Sequence, residues 1–231
     1  KIKARMLIGC DGPLSTVGRQ LGVRNAYIYG TQVRIKADFD EDEALMWFDP
    51  RWKELFGWVV PEGNDIYRIG MGGGKHIGQH FKTFLKNLHL DYDQRIDQQG
   101  GIIPVGIMNE SAFDNVLLLG DAAGQVKATT GGGIVMLLTA ARFAAKAIRK
   151  AFRFKDWSKG FLTDQYEAPC KAAINRQLKI HLIIRKVFER FTNEDFETFF
   201  QIVKSSNIEE TISLYGDMDF PRSLFLKLLK N

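Results

Sequence analysis

The sequence is poor in cysteine: Cys10 and Cys170 are the only two in 231 residues. They lie far apart with no second thiol near either, which excludes a disulfide framework and a thiolate metal site and leaves two buried thiols as the expectation. Long apolar runs are also missing. Stretches such as Val116 to Leu119 and Ile134 to Leu138 fall far short of the roughly 20 residues that cross a bilayer. The chain opens on Lys1, Lys3 and Arg5 with only Met6 to Ile8 apolar before Gly9, so no signal-peptide core is present and a cytoplasmic setting is expected. Nor is there a block of one charge sign. The net charge of +5 comes from Lys and Arg interleaved with Asp and Glu. With no zinc-finger spacing and no ladder of aromatic and basic residues, nucleic acid is not an expected partner. The basic balance suits an anionic lipid surface instead, as a peripheral membrane contact. What is present, 45% hydrophobic and 26% charged residues, belongs to a globular protein with one or two cores.

Along the chain the texture changes three times. Ala4 to Gly9 reads as a short buried strand, stopped by Asp11-Gly12-Pro13 before a helix over Ser15 to Leu21 with Ser15 as its N-cap. From Ala26 to Ile69 β-branched and aromatic residues alternate, as in Tyr27-Ile28-Tyr29, Val33-Arg34-Ile35 and Trp58-Val59-Val60. Pro61-Glu62-Gly63-Asn64-Asp65 punctuates them as a hairpin turn. Apolar residues at helical spacing predict a covering helix over Ile77 to Leu88, and an extended run follows over Gly101 to Met108. A second apolar strand, Val116 to Leu119, precedes a glycine-rich stretch and a small-residue helix over Ile134 to Ala151. Beyond Trp157 the pattern is helical, with amphipathic runs at Leu178 to Phe191, Phe196 to Val203 and Ser223 to Leu229, and a break at Tyr215 to Pro221. No repeats or low-complexity tracts occur. Two separated α/β pieces around a β-rich insertion are expected to share one sheet.

The chemistry-bearing string is Leu117-Leu118-Leu119-Gly120-Asp121-Ala122-Ala123-Gly124, then Thr129-Thr130-Gly131-Gly132-Gly133-Ile134, between a buried strand and a helix. An Asp at a strand end accepts hydrogen bonds from a sugar-like hydroxyl, and small neighbours let a bulky ligand approach the backbone. Glycines at a helix start expose free N–H groups at the positive end of the dipole, a place for a ring that develops negative charge. Three glycines also serve simply to turn a chain, and Asp11-Gly12 is an ordinary turn pair. Trp58 equally suits a plain core aromatic. His76 and His80 lie four apart but have no Glu between them and no third ligand, so they read as a surface helix and no metal is expected. The tail residues Leu182, Ile183, Val187, Phe188, Phe191, Phe199 and Phe200 most simply pack a helical core.

Taken together, these strings resemble the p-hydroxybenzoate hydroxylase-like flavoproteins. Gly120-Asp121 is similar to their Gly-Asp motif, and Ile8-Gly9-Cys10-Asp11-Gly12-Pro13-Leu14-Ser15 to their Asp-Gly motif, found beside the cofactor's pyrophosphate. Within that group the resemblance is to FAD-dependent geranylgeranyl reductases. It rests on Phe56-Gly57-Trp58-Val59-Val60-Pro61-Glu62-Gly63 continuing to Arg68-Ile69-Gly70-Met71-Gly72, on Gly124-Gln125-Val126-Lys127, and on Tyr215-Gly216-Asp217-Met218-Asp219-Phe220-Pro221. It implies FAD as cofactor, bound by Asp11, Gly12, Gly120, Asp121, Ala122, Gly124, Gly131, Gly132, Gly133 and Ile134. Asp121 would take the ribityl chain and the glycines the pyrimidine edge. Trp58 and Pro61 would face an isoprenoid substrate.

The implied fold is α/β with an inserted antiparallel-β substrate domain: a partial, Rossmann-like FAD-binding domain of residues 1–24 and 109–152, the insertion at 25–108, and C-terminal helices over 153–231. Ala128 stands where the family commonly has Pro, which should leave the loop less rigid. No Gly-x-Gly-x-x-Gly unit with a downstream acidic residue is found, since Gly70 to Gly74 does not fit that spacing. In the family this unit lies upstream of Lys1. A truncated piece, a fragment or one part of a split protein is therefore expected, with the missing segment or a partner chain completing the site.

The implied activity is reduction of isoprenoid carbon–carbon double bonds by hydride from reduced flavin, with the proton donor unassigned. An aromatic monooxygenase or halogenase shares the fold and both motifs, and a non-catalytic lipid-binding fragment is the third reading.

Overall fold

The computed structural model describes residues 2–107, 110–206, 208–222 and 224. In chain order its elements are β1 (Leu7–Gly9), α1 (Thr16–Gln20), β2 (Ala26–Lys36), β3 (Leu45–Trp47), β4 (Gly57–Gly63), β5 (Ile66–Gly73), α2 (Ile77–Asn87), β6 (Asp97–Val105), β7 (Ala112–Phe113), β8 (Val116–Leu118), α3 (Ile134–Phe154), α4 (Lys159–Leu162), α5 (Ala168–Phe188), α6 (Asn193–Ser205) and α7 (Ile208–Tyr215). They fall into two compact units. The first holds the residues up to Tyr27, Pro104–Ile184 and those from Glu209 onward; the second holds Ile28–Ile103 and Arg185–Ile208. Residues 153–231, read from sequence as one helical region, are divided between the two.

In the first unit β7 and β8 form a tight antiparallel hairpin turned at Asn115, whose φ is 63°. β8 pairs in parallel with β1, Leu7 opposite Val116 and Gly9 opposite Leu118, in the order β1-β8-β7. The separated α/β pieces thus share one sheet, as their texture predicts. β1 is shorter than expected and only Gly9 of it is buried, because it lies at the sheet's edge; Leu7 and Ile8 are 48% and 39% exposed. Cys10, just beyond, is exposed as well, contrary to the expected buried thiol, whereas Cys170 is buried. Ser15 caps α1 as expected, its Oγ accepting from Gly18 N at 2.8 Å. α3 packs by a stripe of small side chains, Ala140, Ala144, Ala147 and Ala151, which join Leu117, Leu119 and residues of α5 in one core.

Between α4 and α5 the helix widens into a π-turn at Thr163–Glu167. The extra residue turns consecutive side chains, Tyr166 and Glu167, inward together. Glu167 then accepts from the N–H groups of Ser111 and Ala112 and pairs with Lys171 at 2.7 Å.

The second unit is a five-stranded sheet in the order β3-β4-β5-β2-β6. Alternation puts Val33, Ile35, Val59, Tyr67, Ile69 and Met71 on one face, where Phe81, Phe84 and Leu85 of α2 and Trp52 close the core. The hairpin differs from expectation. β4 continues through Pro61 to Gly63, and the turn is Asn64-Asp65, both at φ 57° as a mirror-image two-residue turn needs. A register shift between Pro61 and Gly63 accommodates the proline, which cannot donate to the ladder. Phe48 packs on Phe188, Phe196 and Phe200 with ring centroids 5.4 to 5.8 Å apart, but of the tail residues expected to pack a core, Ile183, Val187, Phe199 and Phe200 are exposed, because these helices turn one apolar side away from the sheet. The run Ser223 to Leu229 lies, residue 224 apart, outside the described residues, as does Met108 at the end of the extended run.

Candidate functional site

Both aspartate motifs leave the sheet side by side. Leu119 N donates to Gly9 O at 3.0 Å, so the chain exits β1 and β8 together and Asp11-Gly12 and Gly120-Asp121 follow the carboxyl ends of adjacent parallel strands. In open α/β sheets that edge is where ligands bind.

Asp11 is held by α1. Its Oδ1 accepts from Ser15 Oγ at 2.6 Å, and its Oδ2 from the N–H groups of Thr16 and Val17 at 2.7 and 3.2 Å. Burial works against ionisation there, but the hydrogen bonds from Ser15, Val17 and Thr16 outweigh it and keep the carboxyl below its ordinary value. Asp11 therefore fixes the helix start, and Gly12, at φ 81°, makes the turn into it.

Gly120 to Ala123 form one 3₁₀ turn, entered and left by glycines at φ 62°, Gly120 and Gly124. Gln125 braces it from beneath: its Oε1 accepts from Gly120 N at 2.8 Å, its Nε2 donates to Tyr166 Oη at 3.2 Å, and Tyr166 in turn donates to Leu118 O at 2.8 Å. Asn25 Nδ2 donates to the carbonyls of Asp121 and Ala122 at 3.1 and 3.3 Å. The Asp121 carboxylate has no such partner among the described residues, and partial burial alone pushes its pKa up.

The glycine loop closes on this turn. A Cβ placed on Gly133 would lie 3.3 Å from Asp121 Oδ1, and one on Gly132 would lie 2.9 Å from Lys127 Cε. Lys127 N donates to Gly132 O and Gly131 N to Lys127 O, at 3.0 and 2.9 Å. These two bonds tie the glycine loop back to Lys127, the residue before Ala128. Lys127 Nζ pairs with Asp219 at 2.5 Å, and Thr129 Oγ1 lies 2.6 Å from Nδ1 of buried His181, which burial and then Lys127 keep below its ordinary pKa. Gly133 is the N-cap of α3 and offers no side chain to it. The first N–H groups of a 21-residue helix thus have no side-chain cap, beside a carboxylate that no described residue partners, with Ile134 76% exposed.

A groove of about 330 Å³ links the two motifs, lined by Pro13, Ser15, Arg19, Arg24, Asn25 and Ala122 among others. Sequence reading did not single out the two arginines, Asn25, Tyr166 or His181. Only Gln125 and Lys127 stood inside a quoted string. Their roles depend on which distant backbone atoms they meet, and no local pattern carries that.

Trp58 and Pro61 lie in the second unit and do not share a face. Trp58 Nε1 donates to Gln32 Oε1 at 3.2 Å, and its ring covers Gly70 so closely that a Cβ there would be 2.4 Å from Cζ2. Pro61, opposite Tyr67, is on the face of buried Val59. His76 is the N-cap of α2 and His80 stands 6.1 Å from the Trp52 ring; among the described residues no three metal-ligating side chains gather.

A sheet edge with paired aspartate turns, beside a glycine-started helix, defines a nucleotide-cofactor fold. The chain belongs to the family described as lycopene cyclase protein, whose family model matches residues 73–209. It is 25% identical to digeranylgeranylglycerophospholipid reductase 1 of Methanosphaera stadtmanae, covering all of this chain and 61% of the relative. It is 27% identical, with the same coverage, to an uncharacterized protein of Methanocaldococcus jannaschii. The chain thus spans about three-fifths of the length of these relatives. Its fold is similar to that of a geranylgeranyl bacteriochlorophyll reductase-like protein from Thermoplasma acidophilum (TM-score 0.79, 23% identity, 87% of this chain and 54% of that one). A halogenase solved in complex with FAD shares the fold at TM-score 0.59 and 15% identity, over 96% of this chain and 55% of that one.

Proposed function

We propose that this chain forms the flavin-end and substrate portions of an FAD-dependent oxidoreductase that saturates carbon–carbon double bonds of geranylgeranyl chains. The observation that carries the reading is the convergence of Asp121 with the Gly131–Gly133 start of α3 at the carboxyl ends of two parallel strands. The residues fit the cofactor. An unpartnered, half-buried carboxylate accepts from ribityl hydroxyls, and a Cβ at Gly132 or Gly133 would crowd Lys127 or the Asp121 carboxylate where a ring would approach.

Reduced flavin, when bound, supplies the hydride. The N–H groups opening α3 stabilise negative charge at the ring's edge. Arg19 and Arg24 give the groove beside Ala122 the charge that a pyrophosphate needs, and the remaining contacts of the ADP half come from a further segment or a partner chain. Trp58, held by Gln32, offers an apolar wall to an isoprenoid. The names of the reductase relatives favour this substrate over those of the halogenases, with which only the fold is shared.

Titration of FAD into the chain, followed by flavin fluorescence, tests the cofactor assignment. Binding weaker than about 1 µM is expected because the ADP contacts are few, each 1.4 kcal/mol being tenfold. Asp121→Ala should weaken it by a further ~0.5–1.5 kcal/mol, one lost hydrogen bond. Unchanged binding by the variant would withdraw the ribityl role, and no binding at about 1 mM FAD would withdraw the site.

A further inference from the structure

We infer that the carboxyl-terminal half of α3 is a docking surface for an anionic phospholipid bilayer. Between Arg142 and Lys155 the sequence carries six Lys and Arg residues, and from Ala122 to Lys155 it carries no Asp or Glu. Lys146, Arg149, Lys150 and Arg153 line a groove of about 580 Å³ with Phe143 and Asp164. Lys150 Nζ donates to Gln165 Oε1 at 2.6 Å. None of the four cations forms an ion pair with a described residue.

Like charges at these spacings repel one another along a helix. With no ion pair to a described residue, they complement an external surface of the opposite sign. Guanidinium groups pair in a forked geometry with phosphate oxygens, and two aromatic residues stand at the end of the same helix, Phe152 and Phe154, 49% and 61% exposed. The guanidinium of Arg153 lies 5.6 Å from the Phe154 ring centre. Cations on one face with protruding aromatics beside them is the pattern of a helix lying in a membrane interface. Nucleic acid would meet the same charge. However, each ring is already engaged edge-on, Phe152 by Trp157 at 5.7 Å and Phe154 by Phe161 at 6.3 Å, and they form no parallel platform for bases.

The inference does not rest on the flavin reading, since the measurement uses neither cofactor nor lipid substrate. The chain is sedimented with vesicles of phosphatidylcholine alone or mixed with phosphatidylglycerol, at about 0.15 M salt, where charge interactions still reach about 8 Å. Binding to the anionic vesicles should exceed that to neutral ones by at least ~10-fold, and Arg149→Glu with Arg153→Glu should abolish the excess. The milder pair Arg149→Gln and Arg153→Gln should give a partial loss with the fold intact by circular dichroism. Phe154→Ser should leave binding that about 0.5 M salt removes, where screening is stronger. A control with the same charge change in the second unit, Lys53→Glu with Lys204→Glu, should bind as the parent does. Equal binding by the Arg149/Arg153 variants, or equal loss in the control, would overturn the assignment. So would duplex DNA held as tightly as the vesicles through the same two arginines, which would give the groove to nucleic acid.

Discussion

Asp121 combines two demands that pull apart. A carboxylate that accepts no hydrogen bond from a described residue and is partly buried is costly to ionise, and burial accordingly raises its pKa above the ordinary 3.8. A group shifted upward in this way contributes stability that is complete below its unfolded-state value and is lost as pH rises through the folded one. At neutral pH the folded chain therefore bears the burial cost of this charge. Asp121→Asn should raise the thermal midpoint at pH 7, with the gain shrinking as pH falls toward 3.8 and absent below it. Melting curves across that range check this; a gain that persisted in acid would mean the side chain is strained rather than charged at a cost. The same residue is the proposed ribityl acceptor, so the parent chain would hold a less stable group ready for a hydroxyl.

Between elements, the π-turn between α4 and α5 supports the site from a distance. It brings Tyr166 under the 3₁₀ turn, where the hydroxyl joins Gln125 to the last carbonyl of β8. Tyr166→Phe would leave the Leu118 carbonyl and Gln125 Nε2 without that partner in the interior. It should destabilise the first unit by ~1–3 kcal/mol, the cost of an unsatisfied buried group. Urea denaturation measures it, and a loss below about 0.5 kcal/mol would show that the hydroxyl does not hold the turn. The ends of α3 differ in a related way. At the N-terminus, glycines leave the helix N–H groups without a capping side chain, whereas the cations of the C-terminal half form no ion pair with a described residue. One element thus carries both features that the two proposals use, uncapped N–H groups at its start and a cluster of cations toward its end.

At the scale of the whole molecule the chain holds two cores that share no residue, one around Leu117, Ala140 and Ile174 and the other around Ile35, Ile69 and Phe84. Ile174→Ala and Ile69→Ala should each cost ~2–5 kcal/mol, the transfer and cavity terms of a deleted aliphatic side chain. Hydrogen exchange should place each loss in its own unit: faster exchange in β4 and β5 for Ile69→Ala, and in α3 and α5 for Ile174→Ala. Loosening of both units by either change would show a single cooperative body.

Much of this is legible in the order of residues alone. Ser15 three residues before Gly18, alternation along Val33 to Ile35, and the small-residue helix after three glycines all express local rules, because caps, pleats and turns are decided by neighbours in the chain. Even the sharing of one sheet by β1 and β8 followed from texture, since short apolar strands of this kind need a common layer to be covered. Pro61 misled, because a proline inside a strand looks like the end of one until a register shift removes its missing donor from the ladder. Only the tertiary structure decided what meets across long separations: Asn25 on the Asp121 turn, Tyr166 on β8, Lys127 on Asp219, and the exposure of Cys10 at the edge of the sheet. Such contacts join residues 41 to 97 positions apart. Their partners are set by packing and by the accounting of buried polar groups, and neither leaves a trace in the local order of residues.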